Sequence, residues 1–278
     1  MRIGALGDVL LTRRLTYSLR LSGFRSTLFA PARHANLLQG DPWIDGLLDS
    51  EAPALASAFA GSWPESAGRF DLAIVISNSN DLIDTAKGAA DTLVQMPPGS
   101  VREDMAVSMQ WAEAAGVVAA PFAGVMPEMA TRVEEATHMG ATLIHPGSGS
   151  PLKNWPIERF AELSRKLEGL GHRVVWIRGP AEMRQPEAWT GERVDRPSLQ
   201  ALAATLATSR LFIGNDSGVS HLAGAVGAAT VTLFGPTRGE VWGPDGPRVQ
   251  VVRASSGALD DIPVRAVLDA LGRADESE

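Results

Sequence analysis

The chain has 278 residues, a formal net charge of -7 and no cysteine, with 45% hydrophobic and 21% charged residues. That length can form one large domain or two medium ones with substantial cores. The lack of a long basic stripe argues against a nucleic-acid-binding protein, and the lack of cysteine excludes disulfides, thiolate metal sites and cysteine nucleophiles. No apolar run could cross a bilayer and no signal-peptide pattern is present, so we expect a cytoplasmic protein, with peripheral contact to the cytoplasmic membrane face left open.

The first half of the chain has an irregular pattern. It predicts four elements, which are helix 7–20, strand 26–31, strand 70–77 and helix 103–116. Proline, glycine and small residues without a clear period follow at 117–129, which is typical of a linker. We therefore predict a first domain over residues 1–127.

The second half alternates regularly between apolar strands and helices. The predicted order is strand and glycine-rich turn 141–149, helix 156–171, strand 173–179, helix 198–209, strand 211–216, helix 217–227 and strand 229–235. This alternation favours an α/β fold with a doubly wound parallel sheet. We predict a second domain over 128–260, and a final helix within 261–278 for which packing back toward the first domain is one option.

One turn of the second domain has the composition of an anion site. Asp216, Ser217 and Gly218 follow a strand at the point where a helix begins. Such a position has backbone N–H groups without intrahelical partners and the positive end of the helix dipole, and it often binds phosphate. Ligands of doubly wound sheets bind at this edge, at the carboxyl ends of the strands.

Three segments together resemble glycosyltransferase family 9, the ADP-heptose:lipopolysaccharide heptosyltransferase family. They are "GALGDVLLT" (4–12), "HPGSGSPLKNWP" (145–156) and "FIGNDSGVSHLAGAVGAATVTLFGPT" (212–237). The resemblance implies a GT-B fold, in which two Rossmann-like domains face each other across a cleft. It places the donor in the C-terminal domain and the acceptor in the N-terminal one. It requires neither a metal nor a cofactor, and the sequence shows no Asp-x-Asp pair at a strand end.

Asp8 is the implied catalytic base. An inverting sugar transfer needs a base beside the acceptor hydroxyl, and a carboxylate can serve as one. The family's proposed base is the aspartate of the Gly-Asp-Val motif, which is Asp8 in this chain. From the residues alone, a helix N-cap is the favoured role for this aspartate.

The resemblance also implies a donor-binding set, which is Ser148, Gly149, Lys153, Glu182, Asp216, Ser217, Gly218 and Thr237. Lys153 would stabilise the charge on the departing diphosphate, Glu182 would bind the ribose and Asp216 the sugar. His221, one turn into the helix, is a further pocket candidate. The structural alternatives are a solvated lysine, a helix N-cap at Asp216, a structural role for His221 and a turn cap at Thr237.

Arg13 and Arg14 are the candidate acceptor-binding residues. Acceptors of this family carry carboxylates and phosphates, which arginine binds in a bidentate manner. The alternative is a solvated helix face.

The chain departs from the family pattern at its amino end. Only "MRI" precedes the first motif, where the family has a full strand, and the region 70–116 is short for the family. A parallel sheet without its first strand has exposed strand edges or uncovered apolar surface, and we expect one of these here. The short amino end reflects either a start further upstream or a short remnant strand at residues 1–5. The N-terminal domain is accordingly predicted to be shortened.

The resulting prediction is an inverting, metal-independent glycosyltransferase. It would move a sugar of the heptose type from an ADP-sugar to a lipopolysaccharide-core or related anionic glycan or glycolipid. The alternatives are a non-catalytic or degenerate nucleotide-sugar-binding protein and a GT-B nucleotide-sugar epimerase or hydrolase. The nucleobase, the acceptor and the oligomeric state stay open at this point, because fold similarity does not determine them.

Overall fold

The structure, a computed structural model, describes residues 1, 4–99, 102–122, 124–126, 134, 136–179 and 191–275. The chain divides into two units, Met1–Phe122 (unit 1) and Ala123–Glu278 (unit 2). The predicted domain boundary at 127 falls on residues outside the described ranges, so it stays a prediction. Each unit is described by itself.

Unit 1 contains two separate pairs of parallel strands, with helices around them. In chain order its helices and strands are α1 (Leu6–Leu21), β1 (Thr27–Ala30), α2 (Ala32–Ala35), β2 (Gly46–Asp49), β3 (Phe70–Ile76), α3 (Asn80–Ala89), β4 (Ala90–Met96) and α4 (Val107–Ala114). β1 pairs with β2 and β3 pairs with β4, both in parallel. The two helices and two strands predicted in this half are present, whereas α2, β2, α3 and β4 were not predicted.

Helix α1 is held by an apolar face. Val9, Leu10 and Leu11 are buried, with the face continued at Leu15 and Leu19, so the helix is covered along most of its length. It packs on α4. Burial of this face fixes the direction in which the amino end of α1, including Asp8, is presented.

A cavity of about 570 Å³ lies between β1 and β3. We call it the β1–β3 cavity; it is lined by residues such as Leu15, Leu28, Leu72 and Ile74. At one end, the amino group of Met1 donates to the Ile74 carbonyl, and the Ile76 N–H donates to the Met1 carbonyl over 3.0 Å. These two bonds follow the pattern of parallel pairing, so Met1 lies beside β3 like one residue of a neighbouring strand.

Unit 2 is built on a six-stranded, all-parallel sheet. Its elements are β5 (Thr142–His145), α5 (Ile157–Gly169), β6 (Val174–Arg178), β7 (Glu192–Asp195), α6 (Leu199–Ala207), β8 (Leu211–Asn215), α7 (Gly218–Ala225), β9 (Thr230–Phe234), α8 (Gly239–Trp242), β10 (Val249–Arg253) and α9 (Val264–Asp275). The spatial order of the strands is β10-β9-β8-β5-β6-β7. The predicted alternation of strands and helices is confirmed, and β7, α8 and β10 were not predicted.

The core of unit 2 explains why its central strands were predictable. Every residue of β5, β8 and β9 is buried, as expected for a parallel sheet covered on both faces. Trp155 is 1% exposed and stacks edge-on against Phe160, so it packs α5 onto the sheet.

The terminal helix α9 belongs to the core of unit 2. Val264, Val267 and Leu271 lie in the same apolar cluster as residues of β5, β8 and β9. The final helix predicted within 261–278 is therefore present, and the option that it packs toward the first domain stays a prediction. The amphipathic pattern of the tail identified the helix, but it did not identify the surface that covers its apolar face.

No helix in the described ranges is long and apolar enough to cross a membrane.

Candidate functional site

Three neighbouring strands of unit 2 end at the same edge of the sheet. β5 ends at His145, β8 at Asn215 and β9 at Phe234, and β8 lies between the other two. Because all three run parallel, the loops that follow them meet at their carboxyl ends, where ligands of such sheets bind. The structure thus brings Asp216 together with Lys153, 63 positions before it in the chain, and with Thr237, 21 positions after it.

Asn215 holds these loops in place. Its side chain is fully buried, and its Oδ1 accepts from the Trp155 N–H over 3.0 Å while its Nδ2 donates to the Pro146 carbonyl over 2.7 Å. Its own carbonyl accepts from the Ser220 hydroxyl over 2.5 Å. Sequence reasoning did not select Asn215 as a site residue, although an asparagine at the last position of a buried strand is a signal, because a buried amide must find partners.

Asp216 lies at the centre of a charged cluster. Its Oδ2 accepts from the Lys153 ammonium over 2.7 Å and from the Thr237 hydroxyl over 2.5 Å. Its side chain is only 9% exposed, whereas that of Lys153 is 32% exposed. The carboxylate is thus enclosed, while the ammonium, which has three donors, is within reach of solvent and of a ligand.

The start of α7 adjoins this cluster. Ser217 is the N-cap, and its hydroxyl oxygen accepts from the Ser220 N–H over 3.4 Å. The alternative in which Asp216 caps the helix is therefore wrong. Gly218 is the first residue of α7 and is half-buried. Its position places the first N–H groups of the helix beside the Lys153–Asp216 pair. The N–H groups of a first helical turn have no intrahelical partners, so they can donate to a ligand.

The loop after β5 is shaped by Ser148. Its hydroxyl accepts from the Ser150 N–H over 3.2 Å and lies 2.7 Å from both the Ser150 carbonyl and the Asn154 Oδ1. Gly149 is exposed, and a Cβ added to it would meet no atom within 4 Å. Ser148 thus fixes the loop that leads to Lys153, and Gly149 leaves open space at its tip.

Two further residues were predicted for the site. His221, the pocket candidate, lies inside α7 and is 7% exposed. Glu182 lies outside the described residues, so its predicted contact with a ribose stays a prediction.

Asp8 lies in unit 1, in the first turn of α1. The helix begins at Leu6 with Ala5 as its N-cap, so the structural alternative in which Asp8 is the N-cap residue is wrong, and Asp8 instead caps the helix from position N3. Its Oδ2 accepts from the Ala5 N–H over 3.0 Å. The side chain is half-buried. A carboxylate that closes back on the preceding turn is held in one orientation, which suits a general base as well as a purely structural role.

The two arginines of α1 differ. Arg13 is 1% exposed, its Nε donates to Asp41 Oδ2 over 2.6 Å, and its guanidinium lies 5.3 Å from the centre of the Phe122 ring. The alternative of a solvated helix face is therefore wrong for Arg13, and its acceptor-binding role stays a prediction. The spacing of α1 showed a helix but gave no sign of Asp41, 28 residues away. Arg14 is half-buried.

The cluster of unit 2 can bind an anion beside a group that carries hydroxyls. Its ammonium and helix N–H groups donate to anionic oxygens, and its carboxylate accepts from hydroxyls. Among the residues described, no group of three or more histidine or acidic side chains is arranged to hold a metal ion.

Comparison with known sequences gives the family. The sequence model of glycosyltransferase family 9 (heptosyltransferase) matches residues 119–265, which is more than half of the chain and includes Lys153, Asp216 and Thr237. Lipopolysaccharide heptosyltransferase 1 of Escherichia coli K12 is 31% identical over 125 residues, which is 43% of this chain. The match spans 39% of that relative, well under half of its length.

Solved structures show the same fold. A family 9 glycosyltransferase from Veillonella parvula covers 100% of this chain, and 96% of its own chain is covered, with a TM-score of 0.78 and 19% identity. The E. coli heptosyltransferase WaaC with ADP covers 99%, with all of its own chain covered, a TM-score of 0.74 and 17% identity. The α/β fold with parallel sheets is therefore that of the GT-B heptosyltransferases, as the motifs predicted. With the family model matched over the segment that carries the cluster, the chain belongs to glycosyltransferase family 9, the heptosyltransferase family.

Proposed function

We propose that the chain is an inverting, metal-independent glycosyltransferase that moves a heptose-type sugar from an ADP-sugar to an anionic glycan or glycolipid of the lipopolysaccharide-core class. The observation that carries the proposal is the enclosed Asp216 carboxylate, bound by Lys153 and Thr237 where β5, β8 and β9 end. The ADP named with the similar E. coli structure, and the heptosyltransferase names of the sequence relatives, support an ADP-linked donor.

The donor would bind to unit 2. Lys153 has two ammonium donors beyond the one that bonds to Asp216, and together with the first N–H groups of α7 they would bind the diphosphate. These groups stabilise the negative charge that grows on the leaving ADP, without a metal. Ser148 and Gly149 would form the wall of this site, and Glu182 would bind the ribose.

Asp216 would bind the sugar and not the phosphates. A carboxylate facing phosphate oxygens is repelled by them, whereas sugar hydroxyls donate to it. The bonds from Lys153 and Thr237 hold its Oδ2, so the carboxylate has one orientation before the donor arrives. Such preorganisation lowers the cost of ordering the site on binding.

The acceptor would bind to unit 1, where Asp8 would take the proton from the attacking hydroxyl. Attack by that oxygen on the anomeric carbon breaks the bond to the diphosphate, so ADP leaves and the configuration is inverted. Arg14 is the acceptor-binding candidate that the fold supports better, because Arg13 is buried in an ion pair. A cytoplasmic location at the membrane face is part of the proposal, since a glycolipid acceptor would be found there.

The test begins with binding and ends with product analysis. Calorimetric titration should show ADP binding with clear preference over UDP. Incubation with ADP-heptose and a heptose-free core acceptor should give a glycosylated product of inverted configuration, which NMR can assign, and Asp8→Asn should abolish its formation while ADP still binds.

Three results would contradict the proposal in different ways. Full transfer by Asp8→Asn would remove the proposed base. Consumption of the donor without any acceptor would indicate an epimerase or a hydrolase. Tight ADP binding without turnover of any kind would indicate a nucleotide-sugar-binding protein.

A further inference from the structure

The segment that precedes α1 lies directly against the Asp8 side chain. A Cβ added to Gly4 would lie 2.5 Å from the Asp8 Oδ2, 2.9 Å from its Cβ and 3.0 Å from its Cγ. All three distances are well below the separation of about 3.5–4.0 Å at which nonbonded carbon atoms pack. The overlap includes the Cβ at the root of the Asp8 side chain, so a rotation of the carboxylate alone would not relieve it. Only a glycine at position 4 leaves the volume that Asp8 occupies.

The same oxygen atom is held by the next residue of the chain. The Ala5 N–H donates to the Asp8 Oδ2 over 3.0 Å, which closes the first turn of α1. Two neighbouring residues thus act on one atom, because Ala5 binds it and Gly4 leaves the space in which it lies. A side chain at position 4 would push the carboxylate away from the Ala5 N–H and break this bond.

The position of this carboxylate matters for the proposed chemistry. A general base must lie within hydrogen-bond distance, about 2.6–3.2 Å, of the hydroxyl whose proton it takes. Displacement of a catalytic group by about 1 Å can lower a rate about 100-fold. An added Cβ only 2.5 Å from the Asp8 Oδ2 requires a displacement of about 1 Å before the two atoms reach an ordinary contact distance.

We propose that Gly4 is a positioning residue for Asp8: the side chain that Gly4 lacks sets the place of the carboxylate that accepts the proton of the attacking hydroxyl. The proposal rests on the proposed function, in which Asp8 is the base. Gly4 takes no part in the proton transfer itself and acts only through the geometry of Asp8.

A merely structural role for Gly4 makes a different prediction. The Asp8 carboxylate caps α1 from position N3, so loss of its bond to Ala5 would also loosen the start of the helix. In that case the activity of a Gly4 variant would fall only as far as its stability falls. A comparable clash elsewhere in unit 1 would then be equally harmful to activity.

Gly46 offers the matched control. It is the first residue of β2, and a Cβ added to it would lie 2.8 Å from the Thr27 Oγ1 and 3.3 Å from the Thr27 Cγ2. Gly46→Ala is thus the same substitution in the same unit, with a clash that does not involve Asp8. We expect it to lower the Tm and to leave kcat within about twofold of wild type at a temperature at which the variant is folded.

Gly4→Ala should separate kcat from the binding of the donor. Misplacement of the base should lower kcat about tenfold or more, measured with ADP-heptose and a heptose-free core acceptor. The KM for the donor and the calorimetric Kd for ADP should keep their wild-type values, because the proposed contacts to the donor all belong to unit 2. Circular dichroism at the assay temperature checks that both alanine variants are folded.

Unfolding measurements test the contact itself and need no acceptor. In a double-mutant cycle, Gly4→Ala is made in wild type and in Asp8→Ala, and thermal unfolding is followed by calorimetry. Asp8→Ala removes the Oδ2 and the Cγ that the added Cβ would meet, so the clash is smaller in that background. We expect Gly4→Ala to lower the Tm by about 2–4 °C or more in wild type and by less than half of that in Asp8→Ala.

Each measurement can overturn the proposal. A wild-type kcat in Gly4→Ala would refute the positioning role, and so would an equal loss of kcat in Gly46→Ala. An equal loss of Tm in the two backgrounds of the cycle would show that the Asp8 side chain does not fill the space beside Gly4. If the wild-type chain glycosylates no acceptor, the proposed function fails and the positioning role fails with it, whereas the unfolding cycle still decides whether Gly4 and Asp8 are in contact.

Discussion

Lys153→Ala is the substitution that tests the donor site most directly. The Lys153 ammonium lies 2.7 Å from Asp216 Oδ2 and is the predicted contact to the diphosphate. Removing it takes away a donor to the phosphates and also leaves an enclosed carboxylate beside them without its counter-charge. Both effects oppose the binding of ADP, so the affinity should fall.

The size of the effect follows from the geometry. A hydrogen bond to a charged group contributes about 1.5–3 kcal/mol, which corresponds to a loss of about 10- to 100-fold in affinity. The Lys153 side chain is 32% exposed, so solvent screens the pair and its contribution to stability should be smaller, about 1 kcal/mol. Such a loss lowers the Tm of a chain of this size by roughly 2–4 °C.

Calorimetric titration with ADP and with adenosine separates the two parts of the donor. Lys153→Ala should weaken ADP about 10- to 100-fold and leave adenosine within about twofold, because adenosine carries no phosphate. Lys166→Ala is the matched control, since Lys166 is an exposed lysine of α5 that pairs with Glu162 on its own helix. It should change neither titration.

The reasoning fails if Lys153→Ala binds ADP as wild type does while remaining folded by circular dichroism. It also fails if ADP and adenosine weaken equally, because the lysine would then act on the shape of the site and not on the phosphates. A rise in the ADP Kd with added salt should accompany the expected result and should be smaller in the variant.

Four further outcomes are expected. Asp216→Asn should bind ADP at least as tightly as wild type, because Lys153 loses its counter-charge, but should transfer sugar slowly; weaker ADP binding in calorimetry would count against the assignment to the sugar. Asn215→Ala leaves two buried backbone groups without partners, so thermal unfolding should show a loss of about 2–4 kcal/mol. Arg13→Met leaves the buried Asp41 carboxylate unpaired, so urea unfolding should show a loss of about 3–5 kcal/mol in the free energy of unfolding. Replacement of an exposed acceptor-binding arginine would not cause a loss of this size. His34 is buried in α2, and this burial lowers its pKa below the ordinary value of 6.5. The unfolded state therefore binds more protons below pH 6.5, so the free energy of unfolding is full above that pH and falls below it. His34→Gln should reduce this loss of stability.

The central strands of unit 2 were predictable because their surroundings are uniform. β5, β8 and β9 are rich in apolar residues, fully buried and separated by helices with clear periodicity. β7 and β10 lie at the two edges of the sheet and expose charged residues such as Arg253, so they lack the apolar run that marks a central strand. In unit 1, β4 follows α3 without any intervening turn residue, which removed the signal for a change of element.

The candidate site was predicted as a set of residues but not as a network. The motifs selected Lys153, Asp216 and Thr237. That Lys153 and Thr237 both bond to the same oxygen of Asp216 depends on the order of the strands in space, which the motifs do not give. The same limit explains Arg13, because the partner that buries it lies on a separate segment of the chain. A sequence pattern shows which residue types are present along one element, whereas pairing across elements depends on the tertiary fold.

The position of Met1 beside β3 has a practical consequence for anyone who produces this protein. Residues attached ahead of Met1 would continue parallel to β3, along Phe70–Ala73, and would enter the β1–β3 cavity. An affinity tag at the amino end would thus contribute backbone hydrogen bonds and side chains to the interior of unit 1. The few residues of the tag that directly precede Met1 would act as part of the folded domain, so their choice would alter yield and melting temperature in a sequence-dependent manner.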